Sequence, residues 1–321
     1  MPQSAPLGTP AGQTGETMTP SHQLSRRTLL RRSAAVAGAG VIARHLAAAE
    51  KKPKAAWQIG CYTRPWDRWD YRTALDAIAE AGFRYAGLMT TKSKTRLVIS
   101  VATTPDEARQ VGAECKKRGL KVPSVYGGGI PVGKSLAAGI EGLKKLIDNC
   151  AAVGAADLLM GGTGKKELAD RYYKAIAECC DYAAAKGVGI SVKPHGGLNA
   201  TGPQCRKTVE KVGHKNFRIW YDPGNIFYYS GGKLDPVADA ATVDGLVVGM
   251  CVKDYRPPKD VMLTPGTGQV DFAKVLARLA KGGFTGGPLV IETLARGDLK
   301  ATLAEAIKAR QFVEKLTEPK G

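Results

Sequence analysis

The side chains best equipped for chemistry fall in four short segments, each of which closes an apolar run. They are Lys193 and His195 in Lys-Pro-His-Gly-Gly, Asp222 and Asn225 in Tyr-Asp-Pro-Gly-Asn, Cys251 and Lys253 in Cys-Val-Lys-Asp, and Glu292 in Ile-Glu-Thr. Two chemistries are open to them. Carboxylate, thiolate and imidazole are ligands of transition metals, and Asp222, Cys251, Glu292 and His195 form such a set, with His195 on the same side of a strand as Lys193 two residues earlier. Alternatively, an ammonium at Lys193 balances Asp222 and Glu292, which would otherwise repel each other. It would polarise a carbonyl or enediolate oxygen and leave Glu292 as the base. Lys253 shares the facing of Cys251, and two lysines at one place favour an anionic or polyhydroxylated ligand.

These segments need elements to bring them together. From Trp57 onward, β-branched and apolar runs alternate with helical patterns. The predicted strands are 58–63, 85–89, 122–126, 157–160, 188–193, 218–221, 246–253 and 289–292. Between them, apolar residues at three- and four-residue spacing predict helices over 71–81, 105–118, 135–152, 167–186, 272–281 and 299–316. This α/β pattern predicts a single-domain (β/α)8 TIM barrel over residues 50–321, a length close to the ~250 residues such barrels take. An open doubly wound sheet would show a glycine fingerprint after the first strand, and Cys61-Tyr62-Thr63-Arg64-Pro65 is not one. In a barrel the site lies at the carboxyl ends of the strands, where all four segments fall.

Other strand-end features are weaker. Gly162-Thr163-Gly164-Lys165 is expected to open a helix and to cradle an anion with free N–H groups, though it lacks the first glycine of a nucleotide P-loop. Trp66, Trp69 and Tyr71 crowd the loop after the first strand, where an aromatic ring could stack on a sugar or pack against the rim. Cys115, Cys150 and Cys179 lie on apolar helical faces and are expected to be buried thiols.

Taken together, Pro-His-Gly-Gly after strand 5, Tyr-Asp-Pro-Gly-Asn after strand 6, Val-Lys-Asp-Tyr on strand 7, Pro-Gly-x-Gly-x-Val-Asp-Phe at 265–272 and Ile-Glu on strand 8 carry a resemblance. From about Trp57 to Leu316 the chain resembles the xylose-isomerase-like barrels that include sugar phosphate isomerases and epimerases. The resemblance implies a divalent metal (Mn, Mg, Co or Zn) held by Glu, Asp, His and Glu at the ends of strands 5 to 8. The metal polarises a sugar carbonyl while the glutamates move the neighbouring proton. Asp222 and Glu292 match this pattern. Lys193 stands in place of the strand-5 glutamate, and the strand-7 histidine falls at Cys251 or Gly249. An ammonium has no lone pair for a cation, so the inherited cage is broken at one corner. The resemblance therefore leaves two readings. One is an isomerase or epimerase acting on a small sugar, keto-sugar or sugar acid, with Glu292, Lys193 and His195 catalytic, Lys253, Asn225 and Trp66 on the substrate, and Asp222, Glu292 and Cys251 on any metal. The other is a non-catalytic sugar-binding barrel that has lost its metal.

The amino-terminal segment carries an address. Ser25 to Arg31 holds a twin arginine before two leucines, followed by the small apolar stretch 34–43 and by Ala47-Ala48-Ala49 ahead of Glu50. This order predicts a twin-arginine export signal over residues 1–49, with Met1 or Met18 as the start, recognition by the twin-arginine translocation machinery and a periplasmic or secreted product. No cysteine follows the alanines to take a lipid, and no apolar run reaches membrane-spanning length. Phosphorylated sugars are not expected outside the cytoplasm, which favours an unphosphorylated substrate. Residues 1–49 hold five arginines and one glutamate, so the formal charge of +18 falls to +14 without them. The remaining basic residues, such as Lys116-Lys117-Arg118 and Lys144-Lys145, lie among acids on predicted outer helices and not in one aromatic-laced stripe. Only His195 and His214 follow residue 49, too few for a three-zinc endonuclease cluster, so nucleic acid is not an expected partner.

Overall fold

The computed structural model describes residues 56–318, so the expected export segment lies outside the described residues. Eight parallel strands alternate with helices in a (β/α)8 barrel. The strands are β1 (Trp57–Tyr62), β2 (Tyr85–Gly87), β3 (Val125–Tyr126), β4 (Asp157–Met160), β5 (Gly189–Val192), β6 (Phe217–Tyr221), β7 (Val247–Val252) and β8 (Gly287–Ile291). Neighbours run in the order β2-β1-β8-β7-β6-β5-β4-β3. Their apolar runs follow from burial on both faces, as in other parallel sheets with helices outside.

The seam between β2 and β3 closes through isolated bridges, Tyr85 with Lys121 and Leu88 with Val125. Both strands are shorter than the sequence predicts. On the β3 side Pro123 lies between the two bridges and has no N–H to give the ladder.

Helices α1 (Tyr71–Glu80), α2 (Pro105–Lys117), α3 (Leu136–Val153), α4 (Ala169–Ala185), α8 (Phe272–Lys281) and α9 (Leu299–Thr317) lie within two residues of their predicted ends. Local chemistry sets those ends. Thr104 and Glu107 form a capping box at the start of α2, and Gly154 closes α3 in the left-handed region. Three further helices, α5 (Gly202–Val212), α6 (Pro223–Ser230) and α7 (Pro236–Ala240), each begin with a capping Thr or Asp and a proline in the first turn.

One large apolar core lies between strands and helices, and a smaller one fills the barrel interior: Tyr62, Met89, Leu159, Trp220, Cys251 and Val290. Tyr62 and Trp220 fit there because Gly87 and Gly249 have no Cβ, which would lie 2.3 and 2.5 Å from their rings. All seven cysteines are buried free thiols, including Cys115, Cys150 and Cys179.

Candidate active site

Five side chains converge above that interior plug, at the carboxyl end of the barrel. Lys193 directly follows β5, Asp222 follows β6 and caps α6 by accepting from Asn225 N, Cys251 belongs to β7, Lys253 follows β7 and Glu292 follows β8. Lys193 Nζ donates to Glu292 Oε2 at 2.5 Å and Asp222 Oδ2 at 3.0 Å, and lies 3.8 Å from Cys251 Sγ. Lys253 Nζ lies 2.6 Å from Glu292 Oε1 and 3.1 Å from both Asp222 Oδ2 and Asn225 Oδ1. A third cation completes the group: Arg64, from the turn after β1, donates through Nη1 to Glu292 Oε1. The five converging side chains are at most 2% exposed, whereas the Arg64 side chain remains 30% exposed.

The electrostatics follow from this packing. Burial alone would raise the Glu292 pKa, but Lys193, Lys253 and Arg64 hold it well below the usual carboxylate range. Burial pulls the Lys193 ammonium down, and the neighbouring negative groups, Glu292 and Asp222 among them, more than offset it, so Lys193 stays charged. Cys251 moves the other way: burial first, then the Glu292 charge, pushes it well above the ordinary thiol value, and it is a neutral thiol. Three cations thus face two carboxylates.

A divalent metal does not fit these residues as they are folded. Ligand atoms of Asp222, Cys251 and Glu292 do lie within 4.8 Å of one another, as a metal site requires. Lys193 Nζ, however, is in contact with all three, and Lys253 Nζ holds both carboxylates. A cation there would meet two ammonium groups within the same low-dielectric centre. The charge a metal would bring is supplied by lysine.

The other expected site residues take different places. His195 does not join the metal-type cluster. Strand β5 ends at Val192, so the side-to-side alternation that would align His195 with Lys193 stops first, and its backbone turns back to pair with Asn199. Its ring sits between Tyr126 and Tyr229, 6.1 and 6.0 Å away centre to centre, and burial followed by the Lys193 charge lowers its pKa to about 4. It is a neutral imidazole at pH 7. Asn225 braces the centre and is not free to meet a ligand: its Nδ2 donates to Pro194 O at 2.6 Å while its Oδ1 receives Lys253.

Trp66 corrects an expectation. It is fully buried in the outer core and offers no exposed ring for stacking, because the short 3-10 turn Arg64–Trp66 folds it beneath the loop. The Gly162–Lys165 segment is also not a helix-start anion cradle, since a 3-10 turn intervenes and α4 begins only at Ala169. The sequence does not single out Arg64: it follows the first strand in a segment with no recognisable motif, and nothing local shows that its guanidinium reaches across to Glu292 after strand β8.

Comparison with family models finds a match to the xylose isomerase-like TIM barrel over residues 75–316. The chain belongs to that family. Solved structures carry the same fold at low identity. A xylose isomerase domain protein from Planctomyces limnophilus superimposes with a TM-score of 0.64 at 19% identity, covering 81% of this chain and 97% of that one. The D-allulose 3-epimerase of Methylomonas sp. gives 0.63 at 19%, over 82% and 99%. The D-psicose 3-epimerase of Clostridium cellulolyticum H10, solved with D-tagatose, gives 0.64 at 15%, over 82% and 100%. No curated protein matches the chain in sequence. This family member thus has the fold of sugar isomerases and epimerases, with ammonium groups at its centre.

Proposed function

We propose that this barrel is an exported isomerase- or epimerase-type protein that moves a proton beside the carbonyl of a small unphosphorylated sugar, keto-sugar or sugar acid, without a metal. The observation that carries the reading is Lys193 Nζ, in contact with all three atoms that would otherwise hold the metal. Glu292 takes the proton from the carbon beside the carbonyl. The electron pair moves into an enediolate whose oxygen anion meets the cationic groups. A proton delivered to the opposite face by a second acid, Lys193 or water, with Glu292 losing its own to solvent, gives an epimer, and return of the Glu292 proton to the neighbouring carbon gives an isomer.

In the resting site three cations make Glu292 too weak a base, because a general base works best with a pKa near the working pH. Arg64 is the partly exposed partner, and a substrate oxygen that draws it away removes one of the three cations that depress Glu292, making it a stronger base. Export rests on the twin-arginine segment at Arg26-Arg27.

The test is deuterium uptake from D2O into a panel of unphosphorylated keto-sugars and sugar acids, with and without EDTA. Exchange is expected to persist in EDTA and to fall by about 100-fold or more in Lys193→Met. Exchange that needs added metal would overturn the reading. The near-complete burial of Lys193, Asp222, Cys251, Lys253 and Glu292 favours a second reading, a sugar-binding barrel without catalysis. Its mark is saturable sugar binding with no exchange.

A further inference from the structure

Glu292 and Arg64 both leave the place where β1 and β8 run side by side, in register from Trp57 with Gly287 to Cys61 with Ile291. The loops continuing from these two strands flank an open surface cleft of about 510 Å3, lined by Arg68, Trp69, Arg296, Gly297 and Asp298, with both arginines and the aspartate exposed. Arg68 lies over the Trp69 ring at 5.0 Å and donates through Nη2 to Gly297 O at 2.5 Å, which fixes its guanidinium on one side. Arg296 has no carboxylate partner among the described residues. Asp298 is engaged by its own helix, accepting from Ala301 N at 2.8 Å to cap α9.

Both the cleft and the centre carry surplus positive charge. The cleft has two guanidinium groups against the Asp298 carboxylate. The centre has Lys193, Lys253 and Arg64 against Asp222 and Glu292, with Cys251 and His195 neutral.

We propose that the cleft is a carboxylate subsite, so that the barrel takes acidic sugars, of the uronic or aldonic acid class, in preference to neutral ones. This rests on the catalytic reading of the adjoining centre. Guanidinium groups suit the task because their planar fork matches the two oxygens of a carboxylate.

Titration calorimetry on the full chain tests it, with D-glucuronate and D-gluconate against D-glucose, and D-glucose 6-phosphate as a second anion. The acids are expected to bind at least ten-fold more tightly than glucose, with the gap narrowing as salt is raised. Arg68→Gln with Arg296→Gln closes the gap to within two-fold, and Arg296→Gln alone narrows it if the double variant fails to fold. Arg109→Gln, an exposed change on α2, preserves the gap and separates a site effect from one of net charge. Equal affinity for acid and neutral sugar, a gap that survives the double variant, or tighter binding of the phosphate than of both acids overturns the proposal. Deuterium exchange into neutral keto-sugars without acid preference ends this proposal and leaves the catalytic reading standing. Acid preference without exchange on any sugar does the reverse.

Discussion

Two buried carboxylates at opposite ends of the barrel show how partners, and not burial alone, set acidity. Glu292 at the carboxyl end is fully buried among Lys193, Lys253 and Arg64, and its pKa lies well below the ordinary value. Asp157 begins β4 at the amino end, where it accepts from the Ser191 hydroxyl, and burial raises its pKa to about 7. A cavity of about 350 Å3 at that end includes Asp157 together with Lys215 and Arg218, but neither cation forms an ion pair with it. Desolvation pushes both acids the same way. Only Glu292 has cations close enough to reverse the sign.

The pH dependence of stability should therefore differ between the two ends. Glu292, with a depressed pKa, contributes stability that is present above its ordinary value and is lost as pH falls. Asp157, with a raised one, contributes stability that is full below its ordinary 3.8 and is lost as pH rises through about 7.

The largest expected effect comes from removing a cation at the Glu292 end. Lys193→Met strips one ammonium from two buried carboxylates and is expected to cost about 3–5 kcal/mol in urea unfolding at pH 7. A loss below about 1 kcal/mol would mean that Lys253 and Arg64 suffice to neutralise the centre, and the contrast between the two ends would rest on fewer groups. At the other end Asp157→Asn should stabilise, by up to about 4 kcal/mol at pH 8 because the carboxyl stands at about 7 against its ordinary 3.8, with the gain vanishing near pH 4. A gain independent of pH would show that Asp157 is not the titrating group. The smallest effect belongs to exposed pairs such as Lys145 with Glu141 on α3, where Lys145→Ala should leave the urea midpoint unchanged within error.

Much of the fold was legible because its signals are local. Strand β4 and helix α8 have their predicted ends, since an apolar run or an amphipathic repeat is complete within the segment itself. The site was legible at the strand ends and one residue beyond them: Cys251 in β7 and Lys253 just after it, two apart, do reach the same centre. It was not legible where the chain had already left the strand. Pro194 and the turn at Gly196 carry His195 up to the rim, and the 3-10 turn after β1 buries Trp66 while sending Arg64 inward. No local pattern distinguishes these outcomes.

The amino-acid sequence by itself determined the barrel, the chain order of its strands and the residue types at their carboxyl ends, because hydrophobic periodicity and strand termini are properties of neighbouring residues. It left open which groups Lys193 meets. Barrel closure decided that, by bringing Lys193 within 2.5 Å of Glu292, 99 residues further along the chain, and by adding Arg64 from the opposite end of the sequence. Contacts of a few ångströms between an ammonium and two carboxylates depend on how strands β5, β6, β7, β8 and β1 are arranged around one axis, and only the tertiary structure fixes that arrangement.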